Sequence, residues 1–496
     1  MQPPAGTATA SGWRTLGILS GLGLVTIFGE TMVQPALPNF VKDFQISYDA
    51  SSWVFSAFLI SGAVATPISG KLSDIYGKKR ILIAVMSIYC AGVMAAGFAT
   101  GFAWMIAARV AMGVGFSSFP VAFGLIRETL PPSKLAIGQT VFGATFSAGG
   151  VIGLVIGAGL IQAYGWHFAF FAILPVAVAL TVIIRFYVKE GSADPPAGIM
   201  GGAPTSQTDP TRVSLDFKGI ILLGATVVAF LTGISLIQGS AGDFTAEAEI
   251  GALVSISVVA LILLVFVERR VRFPLIDFKL LTGENALSST AIILVVGACT
   301  YMVYQTISYL VQSPQPLGFG GDKYATAGVL LPFTIVLLLG TIGSGFVLNR
   351  LGNARMTAIG TSLSAVGFFG LLAYHSTEFA VSATLAIIAA GLSFGFTGAF
   401  NIVLISAPME STGIVLGMVL LLNLVFQAIG PTVAAGFQQA YQGSVSGLPG
   451  LYPTQEAYYL IFLTAAVLSL VSVVLSLLLA RKGFTMRTIE QPSAPW

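Results

Sequence analysis

Long apolar runs dominate this chain and restrict what it can fold into. About fourteen stretches of roughly 20 predominantly apolar residues follow one another, separated by short polar segments. Each stretch can cross a bilayer as a helix, in which the backbone polar groups are paired within the segment. The runs lie near residues 15–37, 52–72, 80–100, 103–127, 137–161, 167–188, 216–238, 247–267, 286–312, 324–348, 355–375, 378–405, 412–437 and 456–480. We therefore predict an all-α membrane protein with fourteen transmembrane helices.

The composition agrees with a membrane protein and excludes several soluble classes. Of the 496 residues, 55% are hydrophobic and 9% are charged, and the mean hydropathy is +0.90, which is too apolar for a soluble globular domain. The net charge of +3 comes from bases scattered over short loops, so we expect no nucleic-acid partner. Cys90 and Cys299 both lie inside apolar runs and are predicted to be buried hydrophobes rather than a disulfide or metal pair.

A charged turn between the second and third runs has a second copy later in the chain. Residues 70–80 read Gly-Lys-Leu-Ser-Asp-Ile-Tyr-Gly-Lys-Lys-Arg, and residues 345–355 read Gly-Phe-Val-Leu-Asn-Arg-Leu-Gly-Asn-Ala-Arg. At the constant offset of 275 residues (345 − 70), Gly70 corresponds to Gly345, Asp74 to Asn349, Gly77 to Gly352 and Arg80 to Arg355. A charged turn repeated in two halves of a membrane protein indicates a transporter that arose by duplication.

The basic residues are concentrated on one side of the predicted spans. That side carries Arg14, Lys71, Lys78, Lys79, Arg80, Arg127, Lys134, Arg185, Lys189, Arg212, Lys218, Arg269, Arg270, Arg272, Lys279, Arg350, Arg355, Arg481, Lys482 and Arg487. The opposite side keeps only Lys42 and Lys323. Because cytoplasmic loops are enriched in Lys and Arg, we expect a multi-pass protein of the cell membrane with both termini in the cytoplasm.

The position of the second charged turn predicts the domain organisation. That turn follows the tenth run, so two spans must be inserted between the two repeats. We predict an N-terminal six-helix bundle over 1–188, a cytoplasmic linker over 189–214, two inserted helices over 215–280 and a C-terminal six-helix bundle over 281–496. The linker is rich in Gly, Pro, Ser and Asp, which is typical of a flexible connection. Residues 438–455 predict a loop or short hairpin on the outer side.

Several motifs resemble the fourteen-helix drug:proton antiporter family of the major facilitator superfamily, over nearly the whole chain. Residues 70–80 fit the family pattern G-x-L-x-D-x-x-G-x-[RK]-[RK], and residues 109–115 resemble R-x-x-Q-G-x-G with Met112 in place of glutamine. Residues 215–219 and 274–277 also look like fourteen-helix members. The resemblance implies a proton-coupled secondary transporter that exports hydrophobic or cationic small molecules, as in multidrug efflux, by alternating access.

Two motifs depart from that family. The antiporter pattern of helix five, G-x-x-x-G-P-x-x-G-G, is represented by Gly149, Gly153 and Gly157, with Leu154 in place of the proline that would kink the helix. Close helix packing is an alternative explanation of these glycines. In the first span, the family's D-x-T-I-V-N-V-A-L-P would place its aspartate at Gly29, whereas the acid Glu30 follows one residue later. A shift of one residue turns a side chain by about 100° around a helix.

Glu30 and Arg109 are the clearest ionisable residues well inside the apolar runs. At a rise of 1.5 Å per residue, both lie roughly 9–12 Å below the outer surface. An unpaired charge at such a depth costs at least ~2.5–3.5 kcal/mol, which makes both residues functional candidates. We interpret Glu30 as the group that binds a proton or a cationic compound, with Arg109 adjusting its proton affinity. The alternative is a static pair that fixes helix packing.

Polar residues at three- and four-residue spacing mark one face of the ninth span. Such a face is typical of the wall of a water-filled cavity. Two further amides lie one turn apart in the thirteenth span, and phenylalanines of the fifth span offer apolar or stacking surface, unless they face lipid or only pack. The predicted substrate cavity comprises Gln34, Phe142, Phe146, Tyr301, Gln305, Tyr309, Asn423 and Gln427.

The charged turn is predicted to act as a conformational latch formed by Gly70, Asp74, Gly77 and Arg80. Its polar contacts would form when the cytoplasmic side is closed and separate when that side opens.

Two other functions stay open. One is a symporter or uniporter for a native metabolite, which the missing helix-five proline favours. The other is a membrane enzyme or receptor, although the sequence has no H-E-x-x-H, no G-x-x-x-x-G-K-[ST] and no sizeable soluble domain. We expect no cofactor, metal or nucleotide. The expected partners are a small-molecule substrate, protons and the lipid bilayer, and the expected state is a monomer.

Overall fold

The computed structural model describes residues 5–188, 217–237, 244–271, 283–406 and 412–481. The predicted linker over 189–214 lies outside these residues. The described part is almost wholly helical, with one short two-stranded hairpin. Helices dominate because, in hydrocarbon, the backbone must find its hydrogen-bond partners within the segment itself.

Eight α-helices form the first half of the protein. They are α1 (Ala5–Thr31), α2 (Leu37–Asp43), α3 (Tyr48–Tyr76), α4 (Lys78–Gly97), α5 (Phe102–Val114), α6 (Ser118–Thr129), α7 (Pro132–Tyr164) and α8 (Trp166–Tyr187). The first and fourth spans were predicted as continuous runs, but each is interrupted by a 3₁₀ turn, at Gln34–Ala36 and Gly115–Ser117. Pro35 accounts for the first interruption because it has no N–H for the helix ladder, and Gly115, a weak helix former, begins the second.

Eight further helices follow. The inserted pair is α9 (Phe217–Ile237) and α10 (Phe244–Glu268), and the second half contains α11 (Glu284–Gln312), α12 (Lys323–Leu351), α13 (Asn353–Ala373), α14 (Glu378–Ser406), α15 (Thr412–Ala440) and α16 (Gln455–Arg481). Between the last two helices, β1 (Gln442–Gly443) pairs antiparallel with β2 (Tyr452–Pro453). A short hairpin therefore occupies the segment predicted to be a loop or hairpin.

The described residues contain thirteen to fourteen apolar helices, in agreement with the fourteen predicted runs. Within the described ranges, 13 helical segments are long and apolar enough to cross a membrane, and α9 adds the shorter apolar stretch Ile221–Gly233. The predicted fold class, an all-α membrane protein with two six-helix bundles and two inserted helices, is therefore confirmed. The domain boundaries stay a prediction.

The two charged turns lie at the same end of the molecule and share one backbone geometry. Gly77 precedes α4 with φ 93°, and Gly352 precedes α13 with φ 77°, a region that favours glycine. Similar conformations at matched positions agree with an origin by duplication. We call this end of the molecule the turn side, and the opposite end, which carries β1 and β2, the hairpin side.

Two pairs of helices form most of the contact between the halves. Helix α3 packs against α15, and α7 packs against α12. Helix α9 contacts both members of the first pair, while α10 packs mainly on α9. Much of α10 is exposed, including Val258, Ile262 and Phe266, as expected for a helix whose surface meets lipid. The inserted helices therefore flank one of the two interfaces between the halves.

Candidate functional site

Glu30 lies in the interface between the two halves. It is the penultimate residue of α1, its side chain is only 3% exposed, and its Oε1 accepts a 2.7 Å hydrogen bond from the hydroxyl of Tyr301 on α11. A buried carboxylate is costly unless hydrogen bonds or charges compensate for its lost hydration. The tyrosine of the second half therefore supplies the partner that the acid of the first half needs.

The glycines of α7 fix the position of the helix that carries Glu30. A methyl group added to Gly149 would lie 2.8 Å from Cβ of Ile27, and one added to Gly157 would lie 2.7 Å from Cα of Met32. At Gly153, an added methyl group would lie 2.9 Å from Cα of Phe28. These three glycines therefore allow α7 to pack directly on the backbone of α1, as the packing explanation of the motif requires.

Leu154, at the position where the antiporter pattern has proline, is fully buried, and α7 runs unbroken from Pro132 to Tyr164. Its interior therefore keeps regular helix geometry through the glycine face.

Arg109 holds three helices of the first half together. Its Nε donates to the carbonyl of Val54 on α3 at 2.8 Å, and its Nη1 donates to the carbonyl of Gly29 on α1 at 3.1 Å. The guanidinium also lies over the ring of Phe58, 4.6 Å from the ring centroid. Its charged atoms do not form a direct ion pair with Glu30 in the described structure. The two residues meet instead through the backbone of α1, one residue before the acid.

The register of the acid on α1 decides which half it faces. The hydroxyl of Tyr89 donates to the carbonyl of Val25 at 3.0 Å and occupies the space that a side chain at Gly29 would need. An acid at position 29 would thus point into the core of the first half. Because Glu30 is rotated by about 100° from that direction, it reaches Tyr301 of the second half instead.

The polar face of α11 is buried against the first half. The side-chain amide of Gln34 donates to the carbonyl of Tyr304, and the hydroxyl of Ser308 donates back to the carbonyl of Gln34 at 2.9 Å. The hydroxyls of Tyr309 and Ser51 are 2.6 Å apart. Residues predicted to line a water-filled cavity therefore form a closed interface in this conformation.

Helix α3 extends this closure toward the hairpin. The backbone N–H of Tyr48 donates to Oε1 of Gln439 at 3.1 Å, and the Tyr48 hydroxyl donates to the carbonyl of Leu451 at 3.0 Å. About two turns after Tyr48 on α3, the hydroxyl of Ser56 donates to the carbonyl of Ala428 at 3.0 Å. We call this set of contacts the hairpin-side seam; its members are Glu30, Gln34, Tyr48, Ser51 and Ser56 of the first half and Tyr301, Tyr304, Ser308, Tyr309, Ala428, Gln439 and Leu451 of the second half.

Several amides near the seam are buried without hydrogen-bond partners among the described residues. Both polar atoms of the Gln305 side chain are in this state, as are Oε1 of Gln34 and Oδ1 of Asn423, whereas Gln427 is half-buried. An unsatisfied buried polar group costs about 1–3 kcal/mol. The predicted cavity residues Gln34, Gln305 and Asn423 therefore keep hydrogen-bonding capacity that the described protein groups do not use.

Phenylalanines of α6 and α7 form an aromatic cluster that also includes Phe116. Phe119 and Phe146 stack at 4.1 Å between centroids, and Phe123 meets Phe142 edge-on at 4.8 Å. Phe142 is fully buried, while Phe146 is half-buried. The predicted aromatic residues thus lie together, within the first half and next to α1.

The turn side contains an ion pair that the sequence analysis did not predict. Lys78, the first residue of α4, forms a salt bridge with Glu128 near the end of α6. Both residues are visible in the sequence, but 50 positions separate them, and only the folded chain brings them together. Of the predicted latch, Arg80 is exposed and Gly77 directly precedes α4, while the side chain of Asp74 lies outside the described part.

A comparison with known protein families explains the repeated turn and the paired bundles. The family model of the Major Facilitator Superfamily matches residues 19–431. The chain belongs to this superfamily. It is therefore a transporter of small molecules and not an enzyme, and it is a multi-pass membrane protein.

Known proteins similar to this superfamily member agree with that assignment. It is 26% identical to Multidrug resistance protein 3 of Bacillus subtilis (strain 168) over 385 residues, 77% of this chain and 70% of that protein. It is 25% identical to the tetracenomycin C resistance and export protein of Streptomyces glaucescens over 419 residues, 84% of this chain and 74% of that protein.

The fold is also similar to that of a solved transporter. A bacterial homolog of the human lysosomal transporter Spinster, in an inward-facing and unoccupied conformation, matches with a TM-score of 0.62. The match covers 95% of this chain and 97% of that chain at 14% identity, and at this level it shows the fold alone.

The contact between α7 and α1 generates a matched pair of variants. We expect Gly153→Ala to lower the apparent melting temperature of the detergent-solubilised transporter, because overpacking typically costs about 1–3 kcal/mol. Gly150→Ala on the same helix should leave it unchanged or raise it, because the nearest atom to an added methyl group lies 4.0 Å away and alanine favours helix. Equal melting temperatures for the two variants would contradict the packing of this glycine face on α1.

Proposed function

We propose that this transporter exports hydrophobic or cationic small molecules in exchange for protons. The observation that carries the proposal is the buried carboxylate of Glu30, held by a hydrogen bond from the opposite half. In alternating access the two halves move against each other around the substrate site. A carboxylate at their interface changes its surroundings in every cycle, so it can bind a proton in one state and release it in the other.

The relatives support the export direction and the broad class of substrate. One is named as a multidrug resistance protein and another as a resistance and export protein for tetracenomycin C. The unpaired amides of Gln305 and Asn423 and the aromatic cluster around Phe142 and Phe146 would suit compounds that combine ring systems with polar groups. In this proposal the protein works as a monomer and uses an ion gradient without a nucleotide.

A symporter or uniporter for a native metabolite is the second candidate. It is favoured by the unbroken helix α7, where Leu154 replaces the proline of the antiporter pattern. The two functions differ in their response to an imposed pH gradient. Export against a concentration gradient, driven by protons moving the opposite way, supports the first, whereas uptake together with protons or transport indifferent to pH supports the second.

The orientation proposed from the basic residues places the turn side in the cytoplasm and the hairpin side outside. Arg80, Arg355 and Lys42 are exposed, whereas the native Cys90 and Cys299 are buried. In right-side-out vesicles, a membrane-impermeant maleimide should label Lys42→Cys directly and should label Arg80→Cys and Arg355→Cys only after permeabilisation. Labelling of Arg80→Cys from outside would overturn this orientation.

The charged turn is proposed to act as a latch that controls the turn side. Asp74 lies two residues before the end of α3, far along that helix from the seam, so Asp74→Asn should slow transport while substrate binding stays largely intact. Binding of ethidium in detergent and its transport into proteoliposomes would be measured on the same preparation. Equal, large losses of both would contradict a latch.

Glu30→Gln tests the proton coupling itself. Because glutamine keeps the size of the side chain but cannot ionise, we expect it to abolish pH-gradient-driven transport of the cation ethidium in proteoliposomes and to weaken ethidium binding. A neutral hydrophobic probe such as Nile red should still bind. The matched control is Glu378→Gln, at the exposed start of α14, which should keep wild-type transport. Uphill transport by Glu30→Gln with unchanged pH dependence would show that Glu30 is not the coupling group.

A further inference from the structure

Tyr301 is the only tyrosine of α11 whose hydroxyl is bonded to Glu30 in the described structure. The hydroxyl of Tyr304, three residues along the same helix, is buried and has no partner among the described residues. Tyr309 lies about two turns after Tyr301, toward the hairpin side, and its hydroxyl is hydrogen-bonded to Ser51. The contact with the acid is thus a property of one position on α11 and not of its aromatic face in general.

The groups around Glu30 divide into those that stay with it and those that leave it. Arg109 on α5 and Tyr89 on α4 face the acid from its own half. Both are tied to that half, since Arg109 donates to the carbonyls of Val54 and Gly29 and Tyr89 donates to a carbonyl of α1. Tyr301 and Tyr304, which face the acid from α11, belong to the other half. If the two halves move apart, Tyr301 and Tyr304 therefore leave Glu30, whereas Arg109 and Tyr89 stay beside it.

We propose that Tyr301 is the positioning residue that links the proton on Glu30 to the opening of the hairpin side, an inference that rests on the proposed proton coupling. The phenol donates to an ionised carboxylate more strongly than to a neutral carboxyl group. Ionised Glu30 therefore holds the hairpin-side seam closed through Tyr301, and protonation of Glu30 weakens that hold. By reciprocity, opening of the seam favours binding of a proton at Glu30.

This linkage has the sign that an antiporter requires. With the hairpin side outward, an open seam presents Glu30 without Tyr301 to the outside and favours uptake of a proton there. Closure of the seam returns Tyr301 to the carboxylate and favours release of the proton, which then leaves through the turn side. The one-residue shift from Gly29 to Glu30 is what makes this arrangement possible, because only the later position faces α11.

The test is the distance across the hairpin side as a function of pH. Spin labels would be placed at Lys42→Cys and Glu456→Cys, exposed positions at the hairpin-side ends of α2 and α16. Pulsed electron–electron double resonance, which measures the distance between the two labels, is applied to the full chain in lipid nanodiscs. It gives the open and closed populations at pH 8 and pH 6. We expect Tyr301→Phe to raise the open-to-closed ratio about tenfold at pH 8, where Glu30 has lost a charge-assisted hydrogen bond, and clearly less at pH 6.

Two further variants make the result decisive. Tyr304→Phe, the matched control, should not raise the open-to-closed ratio at either pH value, because its hydroxyl has no partner among the described residues that could be lost. Glu30→Gln should have a higher open-to-closed ratio than wild type at pH 8, and that ratio should not change with pH. This variant tests the linkage even if Tyr301→Phe does not fold. A ratio for Tyr301→Phe that equals the wild-type ratio at pH 8, or that rises equally at both pH values, would overturn the role of Tyr301.

The failure of this inference can be separated from failure of the proposed function. If Glu30→Gln loses pH-driven transport while Tyr301→Phe keeps the wild-type pH response, Glu30 couples protons and only the role of Tyr301 is wrong. If Glu30→Gln keeps both pH-driven transport and the wild-type pH response of the seam, the proposed coupling through Glu30 fails, and this inference fails with it.

Discussion

A buried carboxylate in an apolar interface must keep a hydrogen-bond partner, and Glu30 finds its partner in the other half of the protein. That one bond joins the chemistry of the acid to the relative position of two six-helix bundles. Around it, the seam toward the hairpin side is built from neutral hydroxyl, amide and backbone groups, among them Ser51 with Tyr309 and Ser56 with Ala428. Neutral groups can part into water at modest cost, so in the proposed mechanism the charge state of Glu30 controls the opening.

The first half holds Glu30 in place by close packing. The glycine face of α7 lies directly on the backbone of α1, while Arg109 ties α1, α3 and α5 through carbonyl groups. Arg109 therefore acts as a structural centre of its own bundle in this conformation, and its positive charge remains near Glu30 without closing an ion pair. The contacts of Glu30 with its own half therefore lie within one bundle, whereas its contact with Tyr301 on α11 crosses to the other bundle.

The sequence is sufficient to predict the fold because the bilayer imposes a length of apolar helix that can be read directly from the chain. Fourteen spans, the repeated turn and the inserted pair all follow from that constraint and from the matched glycines Gly77 and Gly352. Contacts between distant residues could not be predicted in this way. The salt bridge of Lys78 with Glu128 and the burial of the polar face of α11 depend on how helices pack, which the periodicity of one helix does not specify. The shift from Gly29 to Glu30 was visible, yet its consequence required knowing what lies on each side of α1.

The central claim is that Glu30 and Tyr301 act as one unit across the seam. A double-mutant cycle tests it most directly, with the open-to-closed ratio of the hairpin side measured at pH 8 for wild type, Glu30→Gln, Tyr301→Phe and the double variant. If the bond controls opening, Tyr301→Phe removes it and Glu30→Gln takes away its charge assistance, so the double variant should be no more open than the more open single variant. If the effects of the two changes multiply, the residues act independently, and the account of coupling through their bond is wrong.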